Sequence, residues 1–130
     1  MPLPPDAGVI VVAAGRGTRF GAGVAKQFHL LGDVPVLLHA IRPFASHPDV
    51  AHIVVVLAPE DAAAPPGWLD EVRGSRLSFA TGGLERQDSV VAGLAALPDT
   101  CSIVLVHDGA RPFPSYAMID AGIAAARRGR

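Results

Sequence analysis

Val9-Ile10-Val11-Val12-Ala13-Ala14-Gly15-Arg16-Gly17-Thr18-Arg19-Phe20, followed by Lys26-Gln27, is an apolar run that empties into a glycine-rich basic loop. Consecutive apolar residues suit a strand of a parallel sheet buried on both faces, and open α/β sheets bind ligands beyond the carboxyl ends of such strands. At that place Gly15 and Gly17 are free to adopt positive φ and to turn backbone N–H groups toward phosphate oxygens, while Arg19 and Lys26 add positive charge. A structural turn carrying solvated cations is the competing reading. The two commonest phosphate fingerprints are missing: the dinucleotide motif needs a third glycine where Phe20 stands, and the P-loop needs Gly-Lys-Ser/Thr where the chain has Ala25-Lys26-Gln27. What remains is a nucleotide loop of another type.

Three further apolar runs lie downstream, at 53–58, more weakly at 77–80, and at 103–107. The segments between them carry helical rather than alternating spacing. Val36, Leu37, Ala40, Ile41 and Phe44 mark a first helix, which Pro43 should distort or shorten near its end. Val90, Val91, Leu94 and Leu97 mark a second, stopped by Pro98; Tyr116, Ile119, Ile123 and Ala126 mark a third, with Ser115 as N-cap after Pro114. Residues 59–74 contain Pro65-Pro66-Gly67 and read as a loop with at most a short helix around 68–72. Strand and helix in this alternation predict right-handed parallel crossovers and a three-layer α/β sandwich. Four strands make a small doubly wound sheet, and Arg127-Arg128-Gly129-Arg130 falls where a helix finishes and a further strand is due. The expectation is therefore the front portion of a larger domain.

Composition narrows the function classes. The 130 residues are 50% hydrophobic, with a mean hydropathy of +0.37, enough for a core. A net charge of -1 and a pI near 6.5 provide no broad field for a nucleic-acid backbone or an anionic membrane. Phosphate binding must then come from local charge, and the sole lysine, Lys26, stands out in a chain that otherwise uses arginine. A single cysteine, Cys101, excludes disulfide frameworks and cysteine metal sites, which fits a reducing cytoplasm. The start, Met1-Pro2-Leu3-Pro4-Pro5-Asp6, lacks the basic opening of a secretion signal, and no apolar stretch approaches the ~20 residues that cross a bilayer.

Two more loops follow strand ends and should meet the first on one side of the sheet. In Thr81-Gly82-Gly83-Leu84-Glu85-Arg86-Gln87-Asp88-Ser89, paired glycines permit close backbone approach to a flat base, and Ser89 offers a hydroxyl near a helix N-terminus. A plain glycine turn with Ser89 capping its helix fits equally. In Val106-His107-Asp108-Gly109-Ala110-Arg111-Pro112-Phe113, Asp108 is placed to hold a divalent metal that bridges phosphates. An Asp108 to Arg111 ion pair that merely orders the loop is the alternative. His107 reads as a packed, hydrogen-bonded residue rather than a catalytic base, and His29, His39, His47 and His52 lack metal-ligand spacing.

Together these segments resemble the 2-C-methyl-D-erythritol 4-phosphate cytidylyltransferases of the non-mevalonate isoprenoid route. The likeness rests on Ala13-Ala14-Gly15-Arg16-Gly17-Thr18-Arg19 with Lys26-Gln27-Phe28, on Gly82-Gly83 with Arg86 and Ser89-Val90, and on His107-Asp108-Gly109-Ala110-Arg111-Pro112-Phe113. It runs from about Gly8 to the end of the chain. The resemblance implies a Rossmann-like nucleotidyltransferase domain of the nucleotide-diphospho-sugar transferase type, with a mainly parallel sheet, of which residues 1–130 are the N-terminal, CTP-binding portion. It implies Mg²⁺ as cofactor, with CTP and 2-C-methyl-D-erythritol 4-phosphate as substrates and pyrophosphate as product. By the same resemblance Arg19 and Lys26 stabilise the transition state, Ala13, Ala14, Gly15, Gly17, Gly82, Gly83, Arg86, Ser89 and Ala110 hold the nucleotide, and Asp108 takes the ribose side or the metal. A homodimer formed through an arm beyond residue 130 is part of the implication. The chain departs from the family in having Ala25 where proline often stands. A shortened chain and the front of a bifunctional cytidylyltransferase and cyclodiphosphate synthase both remain open. So do a relative that uses another alditol phosphate, such as ribitol 5-phosphate, and a nucleotide-binding module without catalysis.

Overall fold

The computed structural model describes residues 5–15, 26–72, 74 and 76–129. Four parallel strands, β1 (Ala7–Ala13), β4 (Val50–Leu57), β5 (Leu77–Thr81) and β6 (Ile103–Asp108), form one sheet in the order β5-β4-β1-β6. A small antiparallel ribbon of β2 (Leu30–Leu31) and β3 (Val34–Pro35) lies outside it. The helices are α1 (Val36–Ser46), α2 (Pro59–Ala63), α3 (Arg86–Ala96) and α4 (Tyr116–Arg128), with 3-10 turns at Lys26–Phe28 and Gly67–Glu71.

The all-apolar reading of β1 is explained by its central place. Val9 faces Ile53 on one side and Leu105 on the other, and Val11 faces Val55 and His107. Both faces are covered. Alternate residues Val9, Val11 and Ala13 join the core with Leu37, Ile41 and Phe44 of α1 and Ile119 and Ile123 of α4. Ile10, with Val54 and Val56, faces the other layer, against Leu97 just beyond α3. This is the expected three-layer sandwich, with the expected four strands.

Several local expectations are corrected. α1 continues through Pro43 to Ser46 instead of stopping: Pro43 sits in the last turn, where one lost backbone bond matters little, Phe44 is buried, and Ser46 Oγ donates back to the Arg42 and Pro43 carbonyls. The segment 59–74 holds α2 as well as the turn at Gly67–Glu71, because Pro59 opens the helix with φ already set and Glu60 and Asp61 favour its first turn. In α3 the apolar markers Val91 and Leu94 are 64% and 47% exposed, while Ser89 and Gly93 are buried. That helix packs by its smallest residues with Val90 and Leu97 half-buried beside them, so two of the four apolar markers lie on the buried side and two face outward. Tyr116 is also half out of the core, its hydroxyl 2.6 Å from Ser46 Oγ. Ser115 does cap α4, accepting from the Met118 N–H at 3.1 Å.

Candidate active site

The chain crosses from β5 on one side of the sheet, through α3, to β6 on the far side of β1. This reverses the direction of winding and makes the gap between β1 and β6 a topological switch point, where the loops leaving adjacent strands diverge and open a crevice. The glycine-rich loop leaves β1 and the His107-Asp108-Gly109 loop leaves β6, so both border it.

Backbone hydrogen bonds fasten the loop starts to the sheet rim. Gly82 N–H donates to the Leu57 carbonyl at 2.8 Å, and Gly109 N–H donates to the Val12 carbonyl at 2.8 Å. Gly82 is pressed between two residues of the expected site: a Cβ there would lie 2.5 Å from Ala14 Cβ and 2.5 Å from Ser89 Oγ. A Cβ on Gly109 would lie 3.1 Å from Ala13 Cβ. The starts of all three loops thus meet at one rim, as their positions after strand ends require. Gly15 differs from Gly82, since a Cβ on it would meet no described residue within 4 Å. Among the described glycines only Gly32 has positive φ, so Gly15 is not fixed by an unusual backbone angle.

Ser89 is 1% exposed but does not cap its helix. Glu85 is the N-cap, in a capping box with Asp88, whose Oδ2 accepts from the Glu85 N–H at 3.0 Å. The Ser89 hydroxyl instead faces Gly82, one turn inside α3. In the third loop Asp108 Oδ1 accepts from the Ala110 N–H at 2.9 Å, and the Asp108 carbonyl accepts from the Arg111 N–H at 3.1 Å. The loop is therefore ordered through backbone, and the Asp108 to Arg111 ion pair is not what orders it. Among the described residues no bond engages the second Asp108 oxygen. His107 donates from Nε2 to the Arg111 carbonyl at 2.8 Å and meets the Phe44 ring edge-on, which is the packing role expected of it. The loop leaves through Phe113, a non-glycine residue at φ 60 that sequence patterning did not flag.

The chain resembles known proteins along nearly its whole length. The family model for 2-C-methyl-D-erythritol 4-phosphate cytidylyltransferase, IspD, matches residues 7–130. The chain belongs to the IspD family. It is 46% identical over 121 residues to the bifunctional enzyme IspD/IspF of Rhodospirillum rubrum, covering 89% of this chain and 30% of that enzyme. It is 44% identical over 119 residues to the 2-C-methyl-D-erythritol 4-phosphate cytidylyltransferase of Shewanella amazonensis, covering 88% of this chain and 48% of that one. Among solved structures, the cytidylyltransferase of Thermus thermophilus superposes with a TM-score of 0.70 at 34% identity, over 93% of this chain and 49% of that chain. The chain thus spans about half the length of the monofunctional IspD relatives and about a third of the bifunctional ones.

Of the site residues expected from sequence, the fold brings together Ala13, Ala14, Gly15, Gly82 and Ser89 at the β1 and β5 ends, and Asp108 and Ala110 beside them at the β6 end. Gly83 and Arg86 lie exposed at the start of α3. Gly17 and Arg19 fall outside the described residues, and of Lys26 only the backbone, opening the turn Lys26–Phe28, is described. Gln27 belongs to the Lys26-Gln27-Phe28 motif, yet sequence reasoning gave it no role. It is 4% exposed, and its Nε2 donates to the Ala13 carbonyl at 2.8 Å and to the Gly15 carbonyl at 2.8 Å. A buried position for so polar a residue beside the glycine-rich loop leaves no trace in periodicity.

Proposed function

We propose that the protein carrying this chain transfers CMP from CTP to 2-C-methyl-D-erythritol 4-phosphate, forming the 4-diphosphocytidyl product and releasing pyrophosphate. The observation that carries this reading is that the starts of three loops with cytidylyltransferase motifs gather at the carboxyl rim of one parallel sheet, two of them beside its switch point. Phosphoryl transfer asks the protein chiefly to position groups and to neutralise charge. A phosphate monoester is already ionised at neutral pH, so its oxygen attacks the α-phosphorus without a general base. The α-phosphorus bond to the bridging oxygen breaks as the new one forms, and pyrophosphate leaves.

In this reading Arg19 and Lys26 offset the charge that grows on the α-phosphate and pyrophosphate. Ala13, Ala14, Gly15 and Gly17 line the triphosphate, Ala110 lies beside the ribose, and Gly82, Gly83, Arg86 and Ser89 meet the cytosine side. Mg²⁺ suits the donor set: Asp108 has a carboxylate oxygen to offer, and no group of three or more His, Cys, Asp or Glu gathers among the described residues, so phosphate oxygens and water would complete the shell. When bound, the ion neutralises phosphate charge. The enzyme is taken as a cytoplasmic homodimer; the unpaired thiol of Cys101 suits a reducing compartment, and sedimentation of the full-length protein tests the dimer.

Pyrophosphate release by the full-length protein tests the activity. It is expected with CTP, 2-C-methyl-D-erythritol 4-phosphate and a divalent ion; turnover with UTP and sugar 1-phosphates, or with ribitol 5-phosphate in their place, rejects the substrate. Lys26→Ala is expected to lower kcat by about 10²–10³-fold, about 3–4 kcal/mol of lost charge stabilisation. Unchanged turnover in that variant removes Lys26 from the chemistry.

A further inference from the structure

The buried carboxamide of Gln27 has a task that the proposed chemistry does not account for. Both of its Nε2 partners are carbonyl oxygens, Ala13 and Gly15, each at 2.8 Å. Only an NH₂ group can satisfy two acceptors at once, so the orientation of the amide follows from its surroundings. Ala13 is the last residue of β1 and Gly15 opens the glycine-rich loop. Gln27 therefore clamps the place where the strand turns into the loop. The next residue, Phe28, packs edge-on against Trp68 with ring centroids 5.8 Å apart, so the turn Lys26–Phe28 is held from its other side as well.

We propose that Gln27 is a positioning residue, whose carboxamide sets the spacing between the glycine-rich loop and the Lys26 backbone. Two consequences follow from the bonds themselves. The carbonyls of Ala13 and Gly15 are drawn toward Gln27, which keeps their partial negative charge off an anion at the rim. The Lys26 backbone, one residue away in the same 3-10 turn, is tied through Gln27 to the end of β1. Misplacing a reacting or charge-stabilising group by about 1 Å costs about 100-fold in rate. This role rests on the cytidylyltransferase reading, in which Lys26 acts on the transferring phosphate.

The test is a double-mutant cycle on the full-length protein, assayed by pyrophosphate release from CTP and 2-C-methyl-D-erythritol 4-phosphate. Gln27→Met keeps the volume and removes both donors. It is expected to lower kcat about 100-fold while leaving the KM for CTP within about threefold, and to add no further loss to Lys26→Ala. A residue that merely supported the fold would slow both backgrounds equally, and that result, or full kcat in Gln27→Met, overturns the proposal. Should Gln27→Met fail to fold, Gln27→Glu serves: its protonated carboxyl regains a single donor, so its kcat relative to wild type should rise as pH is lowered from about 8 to about 5. A flat ratio overturns the proposal. A wild-type protein that releases no pyrophosphate removes the activity and this role with it, whereas an active wild type beside an equally active Gln27→Met removes the role alone.

Discussion

A methyl group at Gly82 and a methyl group at Gly15 would meet opposite fates. At Gly82 it would collide with Ala14 Cβ and Ser89 Oγ, each 2.5 Å away, and the two loops would have to part. Overpacking of this kind costs about 1–3 kcal/mol. Gly82→Ala is therefore expected to lower the urea midpoint and to raise the KM for CTP together. At Gly15 the same methyl meets no described residue within 4 Å, so Gly15→Ala should stay within about 0.5 kcal/mol of wild type in urea. Its KM for CTP is nonetheless expected to rise, because in the proposed function the triphosphate comes close to the backbone there. Both glycines were legible as loop residues, yet their reasons differ. Gly82 is set by residues distant in sequence, and no local pattern could report that.

α3 shows the same limit for a whole element. Its position was plain from Val90, Val91 and Leu94 with Pro98 beyond, but its start at Arg86, ahead of Ser89, and much of the face it buries were not. Gly93 lies against Ile10, where a Cβ would fall 2.5 Å from Ile10 Cγ2 and 3.1 Å from Cγ1. The helix approaches the sheet closely because Gly93 lacks a side chain. Gly93→Ala is expected to destabilise by about 1–3 kcal/mol in urea unfolding, although alanine is the better helix former. Between β4 and β5, His52 and Ser78 are joined by a 2.9 Å side-chain bond, and burial holds the His52 pKa below its ordinary 6.5. The folded state thus binds that proton less readily than the unfolded chain. The contribution of His52 is complete above about pH 6.5 and is lost as pH falls below it, through the folded value. Thermal midpoints measured from pH 8 to pH 5 should fall less steeply for His52→Gln than for wild type.

For the molecule as a whole, the winding order places the site. β1 lies between β4 and β6, and the crossover through α3 opens the crevice at their carboxyl ends. β6 is an edge strand, as β5 is at the opposite end, with Val104 and Val106 36% and 41% exposed, in a chain about half the length of its monofunctional relatives. The 130 residues alone are expected to bind CTP more weakly than the full-length protein, by calorimetry, and to release no measurable pyrophosphate; robust turnover by them would show that these loops suffice. Sequence alone determined the four strands of the main sheet, because parallel strands under helices are apolar at consecutive positions and the runs at 9–14, 53–58, 103–107 and, more weakly, 77–80 meet that demand locally, whereas the two-residue strands β2 and β3 carry no such run. It also carried the family, since the motifs of the loops after the strand ends stand in adjacent residues. Tertiary structure decided the rest: which face of α3 is buried, that Ser89 faces Gly82 rather than capping its helix, and that Gln27 reaches back to Ala13 and Gly15. Each of these depends on atoms brought close by the fold from separate parts of the chain, and contacts of that kind impose no period or spacing on the residues that make them.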